Sequence, residues 1–269
     1  MTSGTQDTAI AREWISPSSR PDHIEQLISG VDRYNPQNLG VLHDYLAQQL
    51  DTGSYDCLAN LAILKLYQFN PSDFNYLVVV NILLKALVSA PLPDFNLCIS
   101  LLGEAPLATV PSSSEDGEKP EAETSSKIPS AGNLIDPLVV RLSQLSSLLF
   151  QAKFRDFWST LASPEFEDVR EHASKIHGFD DAARRVALNS VKGAFTTISE
   201  ERIGTYLNLS GAELAQFVNS QPGWKLENGK VQVPANPDNE IKATIIREEI
   251  TLDQMTKFLG QAQPNALHA

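Results

Sequence analysis

The stretch ANLAILKLYQFNP, Ala59 to Pro71, limits what this chain can fold into more than any other. Between Ala59 and Phe69 its only polar residues are Asn60, Lys65 and Gln68. At ~100° per residue these three fall within an arc of roughly 140°. The rest of the helix surface is apolar, so neighbours must clasp it on several sides. The next segment, Phe74 to Ser89, repeats the design. Asn81, Lys85 and Ser89 form one polar stripe at steps of four, and Val, Leu, Ile and Ala dominate the remainder. This run is shorter than the ~20 residues that span a bilayer, and Asn81 and Lys85 interrupt it. Both helices therefore read as struts of a protein core. The core residues expected are Leu61, Leu64, Leu66, Tyr67 and Phe69 on the first, Leu83, Leu84 and Leu87 on the second, and Trp158 further on.

The surroundings fit that expectation. DHIEQLISG ends at Gly30, a helix stop. NPQNLGVLHDYLAQQLDTG opens with Pro36 in its first turn, and Leu39, Leu42, Leu46 and Leu50 recur at helical steps. PDFNLCISLLG closes at Gly103. Residues 22–103 thus alternate helix and short turn. No single helix can bury its face alone, and stacked antiparallel pairs solve this as in helical solenoids. No fixed-period consensus is present. Residues 104–132 break the rhythm with Ser, Pro, Glu and Gly; Pro111 to Gly132 holds five acids and two lysines. Such a segment buries too little to fold and reads as a solvated insertion. Ser112, Ser113 and Ser114 precede acids, a pattern a kinase could use. Leu134, Leu138, Leu142, Leu145 and Leu149 then restore the helical period. FRDFWSTLAS adds the aromatics Phe154, Phe157 and Trp158, and PEFEDVREHASKIHG stops at Gly178.

After Gly178 the texture changes. FDDAARRVALNSVKGAF and SEERIGTYLNL read as helices, the second N-capped by Ser199. SGAELAQFVNS opens on a Ser210/Glu213 capping box. GWKLENGKVQVP reads as a β-hairpin about Asn228-Gly229. Three helices and then a hairpin is the order of a winged helix. Residues 240–250 fit strand and helix equally. Thr251 and Gln254 cap a last helix whose apolar side is Leu252, Met255, Phe258 and Leu259.

Chemistry is hard to find. There is no G-x-S-x-G, no H-E-x-x-H and no cysteine cluster at zinc spacing. In GWKLENGKV, five residues rather than four separate Gly223 from Gly229, and Val231 follows Lys230 where a phosphate loop needs Ser or Thr. His172 and His177 lie five apart, off a common helical face. Glu200 and Glu201 open a helix, where the macrodipole favours acids. Cys57 and Cys98 sit in apolar runs as structural thiols. No catalytic residue, metal, cofactor or small-molecule substrate is expected. The N-terminus has no secretory h-region, which points to a cytosolic or nucleocytoplasmic protein.

The formal net charge of -12 has the wrong sign for broad contact with a phosphate backbone. Residues 178–233 balance six basic residues (Arg184, Arg185, Lys192, Arg202, Lys225, Lys230) against six acids. The third helix, Ser210 to Ser220, carries no Lys or Arg at all, so it cannot grip phosphates. Lys225 and Lys230 leave a wing contact with RNA open. Assembly fits better: a hairpin edge pairs with partners, and an apolar terminal helix bundles or folds back. The expected partner-binding residues are Trp224, Val231 and Val233 on the hairpin and Leu252, Met255, Phe258 and Leu259 on the last helix.

The stretches GVDRYNPQNLGVLHDYL and YDCLANLAILKLYQFNP closely resemble the k subunit family of eukaryotic translation initiation factor three. ILLKAL, DFNLC, FRDFW and GFDDAARR follow in that family's order, and GWKLENGKVQV sits at its wing. The resemblance spans residues 22–259 apart from the insertion. It implies a mainly α chain with a HEAT-like, right-handed solenoid-like domain over 22–177 and a winged-helix domain with its last helix over 178–260, together akin to a PCI module. Flexible tails occupy 1–21 and 261–269. It also implies a non-enzymatic subunit that pairs with the l subunit at the factor's periphery and meets the small ribosomal subunit indirectly or weakly. The tail at 1–20 and the long insertion depart from the family pattern. A winged-helix RNA- or DNA-binding protein, or a sister subunit of the proteasome lid or signalosome, are the alternatives.

Overall fold

A computed structural model describes residues 16–103, 136–240, 252 and 254–257. The expected insertion, the ambiguous 241–250 stretch and the C-terminal tail lie outside the described residues. Over the rest the chain is mostly helical, with one small antiparallel sheet.

The first five helices are α1 (Asp22–Ser29), α2 (Leu39–Thr52), α3 (Cys57–Phe69), α4 (Tyr76–Leu87) and α5 (Asp94–Gly103). Four more follow: α6 (Pro137–Phe150), α7 (Phe154–Leu161), α8 (Glu167–Ser174) and α9 (Phe179–Ala194). Short polar side chains start three of them. Asp56 Oδ1 accepts from the Ala59 amide at 3.1 Å. Asn75 Oδ1 accepts from Leu77 at 3.1 Å, and Asp136 Oδ1 from Leu138 at 2.8 Å, with Pro137 in the first turn. Each such cap is worth about 1 kcal/mol. The reading PEFEDVREHASKIHG as one helix needs revision, since Pro164–Phe166 forms a separate 3₁₀ turn ahead of α8.

The inner strut of the stack is α4 rather than α3. Helix α4 touches α2, α3, α5, α6 and α8, and eight of its 12 residues are buried. Full burial of each Leu or Ile contributes about 1.5–3 kcal/mol. Helix α3 packs on α1, α2 and α5 and buries seven of 13. Leu64, Leu66, Tyr67, Leu83, Leu84, Leu87 and Trp158 lie in the interior. Two expected core residues do not: Leu61 is half-buried and Phe69, at the end of α3, is 59% exposed. The polar stripe Asn81, Lys85, Ser89 is not a solvated one, because Lys85 is 5% exposed.

After α9 come β1 (Thr197–Ser199), α10 (Glu200–Leu207), α11 (Gly211–Ser220), β2 (Lys225–Glu227) and β3 (Lys230–Gln232). The strands lie in the order β1-β3-β2, with Val231 opposite Ile198 on one side and Leu226 on the other. Asn228 and Gly229 both take positive φ, 51° and 70°, so the hairpin turn has the type I′ twist that suits it. Gly204 is needed for a different reason: a Cβ there would stand 2.9 Å from Leu209 O. Ser199 and Ser210 occupy the N-cap positions of α10 and α11, yet neither side chain makes a capping bond.

The two halves share one interior. A single buried apolar cluster runs from Leu39 to Val233, joined by a smaller one of Ile24, Ile28, Tyr45 and Ala59. Trp158 Nε1 on α7 donates to Tyr206 O on α10 at 2.9 Å, and Arg184 Nε on α9 donates to Leu207 O at 3.1 Å.

Candidate protein-binding site

The hairpin residues nominated for partner binding are turned inward. Trp224 is 7% exposed, Val231 0% and Val233 6%, all within the shared core. The alternation that marks a strand cannot say which face is covered, and here helices α10 and α11 cover the apolar one. Nor does the hairpin present β3 as an edge, because β1 pairs with its outer side. The free edges belong to β1 and to β2, whose outer residues are Lys225 and Glu227. On the terminal helix Leu252 and Met255 are exposed, while Phe258 and Leu259 lie outside the described residues.

A different apolar surface emerges on α3. The strip left open by α1 and α5 includes Leu58, Leu61 and Ala62, which with Ile28, Tyr34 and Leu101 line a groove of about 270 Å³. Val31 beside it is 84% exposed. Two of its lining cations lie over aromatic rings: the Arg33 guanidinium is 4.7 Å from the ring centre of Tyr34 in the groove, and the Lys65 ammonium 4.9 Å from that of Phe69 at the end of α3. Large exposed apolar side chains gathered in a groove are the usual mark of a protein contact. Their trace in the sequence was the width of the apolar arc on this helix, wider than its neighbours cover.

The surface that would read a nucleic acid is acidic. A groove of about 660 Å³ between α10, α11 and the hairpin turn is lined by Glu200, Glu201, Thr205, Asn208, Ser210 and Leu214 among others. Outward positions of α11 are Ala212, Glu213, Gln216, Asn219 and Ser220, without a cation. A duplex or single strand needs positive charge here. Among the described residues no three His, Cys, Asp or Glu side chains gather as metal ligands, and no helix is long and apolar enough to cross a membrane.

Inside the stack lies a polar network that the sequence did not disclose. Arg20 and Asp56 form a buried two-bonded pair, Nε to Oδ2 at 2.6 Å and Nη2 to Oδ1 at 2.7 Å. Arg20 also reaches Glu25 Oε2 at 2.6 Å, and Tyr45 donates to Asp56 at 3.1 Å. Arg20 had been assigned to a flexible tail. Gln49 and Asn60 exchange amide bonds at 3.1 and 3.3 Å. Lys85 Nζ donates to Gln49 O, one of the last carbonyls of α2, at 3.1 Å. Burial and then the nearby Arg185 push the Lys85 ammonium down to about 8. Burial pushes the Cys57 thiol up to about 12 and Cys98 higher still, so both are inert at neutral pH.

Comparison with known proteins places the molecule. Residues 73–245 match the CSN8/PSMD8/EIF3K family model. A curated relative from Mycosarcoma maydis, eukaryotic translation initiation factor 3 subunit K, is 69% identical over 98% of this chain and 99% of its own length. Proteins of the same name are 39% identical in Phaeosphaeria nodorum, over 90% of this chain and 94% of the relative, and 36% in Cryptococcus neoformans, over 93% and 95%. With identity this high across nearly the whole of both chains, the chain belongs to the family of eukaryotic translation initiation factor 3 subunit K, within the CSN8/PSMD8/EIF3K family.

Proposed function

We propose that this chain is a non-catalytic subunit of eukaryotic translation initiation factor 3, working by assembly with its fellow subunits in the cytoplasm. The observation that carries the proposal is the 69% identity to a subunit of that factor over almost all of both chains. The helical run α1 to α8 is read as a HEAT-like stack. The order α9, β1, α10, α11, β2, β3 is read as a winged helix, the two making a PCI-like module. The acidic groove beside α11 and the net charge of -12 favour a protein partner over RNA. The l subunit is the expected neighbour, and contact with the small ribosomal subunit is indirect or weak.

The docking surface proposed is the α3 groove with Tyr34 and Phe69, joined by Leu252 and Met255 on the terminal helix. Purification of the tagged chain from cell extract, with its companions identified, tests the assignment. Initiation-factor subunits are the expected companions; proteasome-lid or signalosome subunits, or none, overturn it. Within that experiment Phe69→Glu, at an exposed position, should cut recovery of the l subunit about tenfold while the helical signal is kept. Unchanged recovery moves the interface elsewhere.

A further inference from the structure

Where the last turn of α4, the α2–α3 turn and the middle of α9 meet, they enclose a cavity of about 240 Å³. Lys85 is its recessed wall and Arg185 its exposed one, with Tyr55, Ser89 and Asn189 between them. No Asp or Glu lines it. Three carboxylates on nearby elements are engaged elsewhere: Asp94 accepts from Tyr55 at 2.9 Å, Asp56 holds Arg20, and Asp181 pairs with Arg184 at 2.8 Å; Asp51 and Asp180 are exposed and line no part of the cavity. Ser89 Oγ donates to Ala86 O at 2.7 Å. The donors left facing the cavity are therefore the Lys85 ammonium, the Arg185 guanidinium and the Asn189 amide.

The two adjacent arginines of α9 differ sharply. Arg184 is satisfied by Leu207 O and Asp181. Arg185 makes no hydrogen bond or ion pair among the described residues. The role of Lys85 as a cap on α2, near the negative end of α4, accounts for one cation. It does not account for a second one facing it without a counter-charge, in a chain of net charge -12. Lys85 is the buried cation here, its one bond going to a backbone carbonyl, and an ammonium beside an exposed guanidinium is the donor set that phosphate takes.

We propose that this cavity binds a doubly charged phosphate group, with Lys85 as the recessed ammonium and Arg185 as the guanidinium that closes over it. Two cations with no carboxylate in the cavity lining match a dianion better than a single carboxylate. The phosphate could arrive as a free ion or as a phosphoserine side chain, and the chemistry at the cavity is the same. The site does not depend on the assembly reading.

The test uses the full chain and inorganic phosphate, titrated at constant ionic strength against chloride. Thermal unfolding and calorimetry give the readout. A saturating rise in Tm is expected by mass action. Arg185→Gln, at an exposed position, should weaken binding about tenfold or more, and Lys85→Met should abolish it. Arg202→Gln, an exposed arginine on α10, should leave it unchanged. A phosphoserine peptide that binds tighter than inorganic phosphate, with the same Arg185→Gln loss, assigns the group to a polypeptide. Equal or weaker binding by the peptide assigns it to the free ion. No saturation, equal affinity in Arg185→Gln, or an unphosphorylated acidic peptide that binds as tightly as phosphate each overturn the proposal.

Discussion

Six of the eight buried polar or charged side chains among the described residues lie between Arg20 and Asp94; only Ser146 and Asn239 lie beyond. The sheet and its two helices are held instead by Ile198, Ile203, Leu207, Leu214, Val218, Trp224, Val231 and Val233. The two regions solve register differently. In the small unit, strand pairing and the Asn228-Gly229 turn fix the register, so its core can be apolar apart from Asn239. Helices α1 to α4 have no such ladder, and apolar faces alone would let one slide past another by a turn. Bonds with a single acceptable geometry, such as Arg20 to Asp56 or Gln49 to Asn60, remove that freedom. What apolar packing supplies in quantity, the polar network supplies in selectivity.

The sharpest way to break this contrast is Asp56→Ala. The change leaves the Arg20 guanidinium, whose side chain is 2% exposed, with Glu25 as its one carboxylate, and removes the α3 cap and the Tyr45 partner. Loss of one member of a buried pair costs about 3–5 kcal/mol. Urea unfolding should show that loss. If Arg20 and Asp56 matter for register rather than stability, the double variant Arg20→Met/Asp56→Leu should recover much of it while showing weaker amide-exchange protection in α1. A loss below about 1 kcal/mol for Asp56→Ala would end the claim that the network organises the stack.

In the apolar unit the matching lesion is Trp224→Ala. A cavity of that size costs about 3 kcal/mol, with the loss spread over α10, α11 and the sheet. The consequence for function is specific. Any loss of partner binding by this variant should track the unfolded fraction, because the indole has no surface to offer. Binding lost from fully folded protein would restore the hairpin as a contact face.

Lys85→Met sits where the two kinds of interior meet, and its effect has the opposite sign. The fall from the ordinary 10.5 to about 8 costs about 3 kcal/mol at neutral pH, offset in part by the bond to Gln49 O. The variant should therefore be more stable than the parent by about 1 kcal/mol at pH 7. The sign with pH follows from the lower folded-state value. The unfolded chain takes up the proton first, so the parent gains stability as pH rises from about 8 to 10.5. The advantage of Lys85→Met should vanish over that window. A variant less stable at pH 7 would mean that Lys85 is there for structure alone.

How much of this was written locally in the chain can be argued residue by residue. Helix spans followed from apolar steps of three and four, since amphipathicity depends only on the helix itself. Asn228-Gly229 announced the hairpin for the same reason. Strand β1 gave no sign: Thr197, Ile198 and Ser199 become a strand only because β3 needs an outer partner. Ser210 and Glu213 spelled a capping box, but Ser210 makes no side-chain cap bond. Lys85 showed only as part of a polar stripe, with no sign of what it meets, because its partner, Gln49 O, is 36 residues away. Phe69 looked like core because the covering of one face of α3 is a tertiary fact. The α3 groove showed only as an apolar arc too wide for its neighbours, and the cation-lined cavity did not show at all, as each is assembled from elements distant in sequence.

The smallest effect tests the border of the polar network from the outer side of α2. His43 Nε2 lies 2.6 Å from Tyr67 Oη, and burial holds its pKa below the ordinary 6.5, with Asp44 opposing weakly. A neutral ring fits this bond between a half-buried imidazole and a buried phenol; a charged one must be desolvated. Since the folded value is the lower one, the unfolded chain protonates first as pH falls. The His43 contribution is therefore complete above pH 6.5 and is lost as pH drops below it. Urea midpoints of the parent should fall more steeply from pH 7 to 5 than those of His43→Gln, whose amide keeps a bond to Tyr67 without titrating. Parallel slopes would place the His43 ring in water and detach it from the network, leaving the Arg20–Asp56 and Gln49–Asn60 bonds as its whole extent.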